Sequence, residues 1–213
     1  MRLRPITEHL PKPMIKVAGR PILERLVLHL VSYGVTRIYL AVNYMGHVIE
    51  NHFGDGSRFG CSIEYLREEE PLGTGGALSL LPENFDEPLL VMNGDLVMQA
   101  NIEGFLRFHD EGGYSATMGV KPYHHEVPFG CIEADSGRMQ SIQEKPSIER
   151  LINAGIYALS PKVIDRIPNA FYPITELFAS LLEEELPCGS FLIEEEWTDV
   201  GRVGDLNEAQ GKV

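Results

Sequence analysis

Between Pro21 and Asp110 the apolar residues repeatedly switch spacing, from about 3.6 residues to 2 and back, and few architectures accept such a chain. Pro21 to Tyr33 carries Ile22, Leu23, Leu26, Val27, Leu30 and Val31, an apolar stripe at helical spacing. Pro21 at its start and Gly34 just past its end are the residues that helix termini prefer. Arg37 to Val42 reads as a strand, and Tyr44 to Phe53 as a second helix stopped by Gly54-Asp55-Gly56. Cys61–Leu66 is the next strand, Gly75–Leu81 a short helix, and Leu89–Met92 a buried apolar strand. Ile102–Asp110 is a further helix, closed by Gly112-Gly113. The alternation predicts an α/β fold, a mostly parallel sheet with helices on both faces.

After Tyr114 the character changes. Ser115–Val120, Gly130–Ala134, Met139–Gln143 and Ile152–Leu159 are short strands set apart by turn residues, a more antiparallel grouping. Helical stretches at Ile174–Glu185 and Gly204–Ala209 finish the chain, with no repeat, low-complexity run or linker. One domain over residues 1–213 is expected, with a β-rich subregion in its second half. Doubly wound folds open with an apolar strand that delivers a phosphate-binding loop. Here the basic segment Met1–Arg20 has no strand before it, so a domain short of its amino-terminal strand is expected.

Charge narrows the partners. The chain carries a net −13, which disfavours nucleic acid and anionic membrane as ligands. Within it, Arg2, Arg4, Lys12, Lys16 and Arg20 crowd the first twenty residues against the single acid Glu8. Such a local cationic segment suits a small anionic ligand, and equally a solvated basic loop. Cys61, Cys131 and Cys188 are far apart and odd in number, pointing to a reducing compartment and away from a structural zinc site. A soluble, cytoplasmic protein is expected.

Four stretches carry chemistry. Arg2-Leu3-Arg4-Pro5, followed by Pro11-Lys12-Pro13-Met14, is a proline-stiffened loop that presents cations at low entropic cost. Glu70-Pro71-Leu72-Gly73-Thr74-Gly75-Gly76-Ala77 is a glycine-rich turn into a helix, where bare backbone can approach a base or a phosphate, or simply turn tightly. Asn93-Gly94-Asp95 follows the buried strand Leu89–Met92, at the strand end where open α/β sheets bind ligands. Trp197-Thr198-Asp199-Val200-Gly201 lies near the end. Asp95 and Asp199 could share one magnesium ion with phosphate oxygens, although either alone could be a turn former or a helix cap. Val127-Pro128-Phe129-Gly130, Glu144-Lys145-Pro146 and Asn153-Ala154-Gly155 add glycine backbone, a carboxylate, an amide and an ammonium, a mixture suited to a sugar phosphate.

In this order the stretches resemble those of the sugar-1-phosphate nucleotidyltransferases, over essentially the whole chain. Within that family they look most like the guanylyltransferases that act on mannose 1-phosphate or glucosamine 1-phosphate. The resemblance implies a Rossmann-like sheet with a β-rich sugar-binding subregion. It also implies that Arg2 and Lys12 hold the triphosphate, that Asp95 and Asp199 bind Mg2+, and that Glu70, Gly73, Thr74 and Gly75 face the base. Gly130, Glu144, Lys145 and Asn153 would hold the sugar phosphate. The chain departs from the family at its amino end, where an apolar strand and a Gly-Gly-x-Gly-type turn would precede Arg2.

The implied reaction is attack by a sugar 1-phosphate oxygen on the α-phosphorus of a nucleoside triphosphate, GTP favoured, releasing pyrophosphate. A phosphate monoester is anionic at neutral pH and needs no strong general base, so positioning and charge compensation suffice. A truncated or regulatory homologue that binds without turnover is the alternative. A nucleotide-sugar-dependent glycosyltransferase would share the α/β pattern but usually presents an Asp-x-Asp site, which Asn93-Gly94-Asp95 is not. A homo-oligomer is compatible with the pattern.

Overall fold

The computed structural model describes residues 6–82, 85–201 and 203–211. Arg2 lies outside the described residues. A two-residue ladder of β1 (Lys16–Val17) with β2 (Arg20–Pro21) turns through Ala18 and Gly19, at φ 47° and 83°. It leads into α1 (Ile22–Ser32), which buries Ile22, Leu23, Leu26, Val27 and Leu30, the stripe that the spacing predicts. β3 (Arg37–Val42), α2 (Gly46–Phe53) and β4 (Ser62–Arg67) follow. Then come α3 (Gly73–Gly76), running on as a tight turn over Ala77–Leu80, and the strands β5 (Leu89–Met92) and β6 (Leu96–Met98). α4 (Ile102–Glu111) starts at Asn101, whose side-chain oxygen accepts from the Gly104 N–H at 2.9 Å, a regular helix cap.

The second half comprises β7 (Ala116–Glu126), β8 (Cys131–Asp135), β9 (Arg138–Gln143) and β10 (Ser147–Leu159). After these come α5 (Pro161–Ile164), α6 (Ile174–Glu183), β11 (Cys188–Leu192), β12 (Trp197–Asp199) and α7 (Val203–Gly211).

The α/β architecture is as expected, but the sheet is mixed rather than mostly parallel. β3 and β4 pair in parallel over six residues each, and β11 pairs in parallel with β7. The four-stranded sheet runs β11-β7-β10-β5, with β10 antiparallel to both of its neighbours. The reason is the β8–β9 hairpin, an excursion from which the chain returns along β7 in the opposite direction. β7 and β10 are also longer than predicted. Their outer halves, Lys121–Glu126 and Ser147–Ile152, form a largely exposed ribbon with polar residues on both faces, so no alternation marks them.

β10 shows that helices cover both sides. Its Ala154, Ile156 and Ala158 enter one core with Leu26 and Leu30 of α1 and Phe105 of α4. Its Tyr157 and Leu159 enter another with Leu177 and Leu181 of α6. β6, β11 and β12 escape the sequence reading. Among the described residues, no helix is long and apolar enough to cross a membrane.

Candidate active site

Lys12 opens a single tight turn, Lys12–Met14, between two prolines that restrict the backbone. The N–H of Met14 donates to the Pro11 carbonyl at 2.8 Å, and Met14 is buried, so the loop is anchored from beneath. Asp95 follows β5 and immediately precedes β6. Asp199 is the last residue of β12. β6 and β12 pair antiparallel with Asp199 opposite Leu96, which brings both aspartates to one end of the ladder. Trp197 holds that ladder to the main sheet, its indole N–H donating to the Ala154 carbonyl at 2.8 Å.

The Lys12 ammonium lies between the two carboxylates. It donates to Asp95 Oδ2 and, at 3.3 Å, to Asp199 Oδ1. Burial pushes the Lys12 pKa down, but hydrogen bonding and charge from Asp95, then Asp199, outweigh it and the net shift is upward. The side chain of Asp199 is 48% exposed, so the pair remains open to an anionic ligand and its counter-ion. Among the described residues, two carboxylates against one ammonium leave one negative charge and free oxygen lone pairs. That donor set fits Mg2+, which takes a few carboxylate oxygens and completes its shell with water and phosphate. Among the described residues no cluster of three or more metal-ligating side chains occurs, so Asp95 and Asp199 would be the protein's share.

The other predicted residues fall into three groups. Asn93 joins Asn153-Ala154-Gly155: its N–H donates to the Gly155 carbonyl at 2.9 Å, and a Cβ on Gly155 would lie 2.6 Å from its amide nitrogen. Asn153 is engaged within the fold, its amide donating to the Tyr157 hydroxyl and accepting from the Gly155 N–H, both at 2.8 Å. Gly130 and Glu144 meet at the base of the β8–β9 hairpin, where a Cβ on Gly130 would stand 3.1 Å from the carboxylate. Next to them, Lys145 holds a left-handed φ of 44°, which is unfavourable for a side chain with a Cβ.

The glycine-rich turn packs against protein. Gly75 and Gly76 donate to the Tyr172 carbonyl at 2.8 and 3.0 Å, and a Cβ on Gly76 would stand 2.2 Å from the Ala170 carbonyl oxygen. The Thr74 hydroxyl accepts from the Ile174 N–H at 2.9 Å, where α6 begins. Glu70 is exposed at the mouth of the turn. Glu68, which the sequence reading passed over, pins the turn by accepting from the Leu72 N–H at 2.8 Å. In sequence it is one member of the acidic run Glu68–Glu70, with nothing to set it apart.

The family model for nucleotidyl transferases matches residues 1–213. The chain belongs to that family. It is similar to "Mannose-1-phosphate guanyltransferase beta-B" of Xenopus laevis, 36% identical over 96% of this chain and 59% of the relative. It is also similar to "UTP--glucose-1-phosphate uridylyltransferase" of Synechocystis, 34% identical over 98% of this chain and 59% of the relative. The chain therefore spans about 59% of the length of these relatives. Among solved structures, HddC from Yersinia pseudotuberculosis superposes with a TM-score of 0.76 at 26% identity, over 100% of this chain and 94% of that one.

In this nucleotidyl transferase a cleft of about 670 Å³ opens beside α1, lined by Arg20, Arg25, His29, Met98 and Glu196 among others. Its lining includes Leu96 and Thr198, each one residue from an aspartate, but neither aspartate nor Lys12. The charged triad thus lies outside the lining of this cleft.

Proposed function

We propose that residues 1–213 form the catalytic domain of a cytoplasmic sugar-1-phosphate nucleotidyltransferase that prefers GTP. The observation that carries this reading is the Lys12 ammonium shared by Asp95 and Asp199, delivered by three segments distant in sequence. Mg2+ held by the two aspartates would neutralise phosphate charge in the transition state. Lys12 turns toward the triphosphate and offsets charge on its oxygens, with Arg2 as a second cation. The sugar-phosphate oxygen forms the new bond to the α-phosphorus. The bond from that phosphorus to the bridging oxygen breaks, and pyrophosphate leaves with the electron pair. The attacking oxygen is already anionic, so no residue has to remove a proton.

Glu70, Gly73, Thr74 and Gly75 face the base in this reading, and Gly130, Glu144, Lys145 and Asn153 the sugar phosphate. The names of the Xenopus relatives support guanine, and that of the Synechocystis relative keeps uracil as the competitor. Pyrophosphate release should be measured with GTP, UTP and dTTP against a panel of hexose 1-phosphates in the presence of Mg2+. The expected result is release fastest with GTP and reduced about 100-fold or more by Asp95→Asn or Asp199→Asn. Faster release with UTP would transfer the preference to uracil. No release from any pair, in a folded protein that binds nucleotide, would favour the regulatory alternative.

A further inference from the structure

Lys121 lies at the middle of β7, opposite Ile152 of β10, and played no part in the reading of the site. Its ammonium donates to three consecutive backbone carbonyls, those of Ile193, Glu194 and Glu195, at 3.0, 3.2 and 2.8 Å. All three of its protons are thereby directed into one turn. A half-buried lysine seeking charge would take a carboxylate, and residues 194–196 offer three glutamates, yet Lys121 takes the peptide oxygens. Converging carbonyl dipoles repel one another, so a turn folded this tightly depends on the cation at its centre.

The turn leads directly into β12. Its far end is fixed by the Gln99 N–H donating to the Glu196 carbonyl at 3.1 Å, and Asp199 lies three residues further on. β12 has only three residues paired with β6, too short a ladder to define its own placement against thermal motion. The anchors at its entrance, together with Trp197 within the strand and the Val200 N–H beyond it, therefore set where Asp199 stands relative to Asp95.

We propose that Lys121 is a positioning residue, which sets the carboxylate of Asp199 by gathering the carbonyls of residues 193–195. The inference rests on the reading of Asp199 as a metal ligand only for its effect on metal binding. Its effect on the backbone stands independently of that reading.

The test compares Lys121→Met, which keeps the length and removes the donors, with Lys121→Arg, which keeps donors and charge. Mn2+ affinity is followed by electron paramagnetic resonance without nucleotide, and amide exchange by mass spectrometry over residues 196–200. Lys121→Met is expected to weaken Mn2+ binding about 10-fold, the usual scale for losing a group that orients a ligand. It should also accelerate exchange at 196–200 while leaving α1 and α2 unchanged, and Lys121→Arg should recover most of both. Wild-type Mn2+ affinity in a folded Lys121→Met protein overturns the proposal, as does unchanged exchange at 196–200. Asp199→Asn serves as the control. If it leaves Mn2+ affinity intact, the metal reading of the site fails, and exchange at 196–200 alone decides whether Lys121 holds the strand.

Discussion

The backbone N–H of Val200 donates to the carbonyl of Asp95 at 3.3 Å. This bond lies just past the three-residue β6–β12 ladder and ties the two acidic positions together through peptide groups. The approach of the carboxylates is thus a property of the backbone, and Lys12 answers it without creating it. Neutralising either aspartate should leave the fold intact, so a loss of turnover in Asp95→Asn or Asp199→Asn would report chemistry.

Lys12→Met removes the cation that, among the described residues, the two carboxylates share. Its effect on stability should be small, because the groups are partly exposed and screened. Pyrophosphate release should fall about 100-fold or more, since charge compensation is lost in the transition state. Millimolar Mg2+ should raise the melting temperature of this variant more than that of the wild type, because the metal meets no competing ammonium. Equal shifts in the two proteins would count against a metal site at Asp95 and Asp199.

Gly76→Ala would place a Cβ 2.2 Å from the Ala170 carbonyl oxygen and 3.0 Å from Leu72 Cβ, neither of them the far end of a flexible side chain that could yield. A destabilisation of about 3 kcal/mol or more is expected from overpacking of this severity. Gly204→Ala, in α7 with nothing within 4 Å of the added carbon, should be neutral or stabilising by up to about 1 kcal/mol. Urea unfolding of both variants checks the contrast. Similar midpoints would show that the 170–174 loop moves freely away from the turn.

These glycines mark where sequence reading runs out. The stripe of α1 and the strands β3 and β5 are legible because their periodicity is local and their termini carry Pro and Gly. A glycine that makes room for a ligand looks the same in sequence as one that makes room for a carbonyl ninety-four residues away, as Gly76 does for Ala170. β6 and β12 have three residues each and find each other across a hundred positions, so neither shows a period. Asp95 and Asp199 could be singled out because each follows a recognisable neighbourhood, the apolar run before Asn93 and the Trp-Thr-Asp of the late motif. Lys121 had no such signal. Its partners are peptide oxygens, which every residue owns.

His109 predicts the response to acid. It is 1% exposed, between the Thr117 hydroxyl at 2.9 Å from Nδ1 and the Ser160 hydroxyl at 3.2 Å from Nε2. Ser160 gives its own proton to the Tyr114 carbonyl, so it accepts from Nε2–H, and Nδ1 accepts from Thr117. Burial lowers the His109 pKa, only partly countered by the charge of Asp110. The unfolded chain therefore binds this proton first as pH falls. The stability due to neutral His109 is complete above about pH 6.5 and declines below it, down to the folded-state pKa. Urea unfolding at pH 8 and pH 5.5 should show wild type losing more stability than His109→Gln. Equal losses would remove His109 from the acid response.

Lys145 offers a test in which stability and binding move in opposite directions. Its φ of 44° places a side-chain-bearing residue in the left-handed region, at a cost of about 1–2 kcal/mol relative to ordinary backbone. Backbone strain of this kind persists where the surrounding structure holds it, and it gathers at ligand sites. Here Lys145 lies between Glu144, whose carboxylate faces Gly130, and Pro146, whose carbonyl accepts from the Val127 N–H at 2.9 Å. Glycine adopts this φ freely. Lys145→Gly should therefore stabilise the hairpin base by roughly 1 kcal/mol, after allowing for the greater entropy of glycine in the unfolded chain. If the ammonium meets the sugar phosphate, the same variant should raise the KM for hexose 1-phosphate about 10-fold or more and change the KM for nucleotide little. Lys145→Ala separates the two effects, since it loses the charge and keeps the strain. It should match Lys145→Gly in KM and fall below it in melting temperature. A KM for hexose 1-phosphate unchanged in both variants would place the sugar phosphate elsewhere and leave the strained φ without a role in binding.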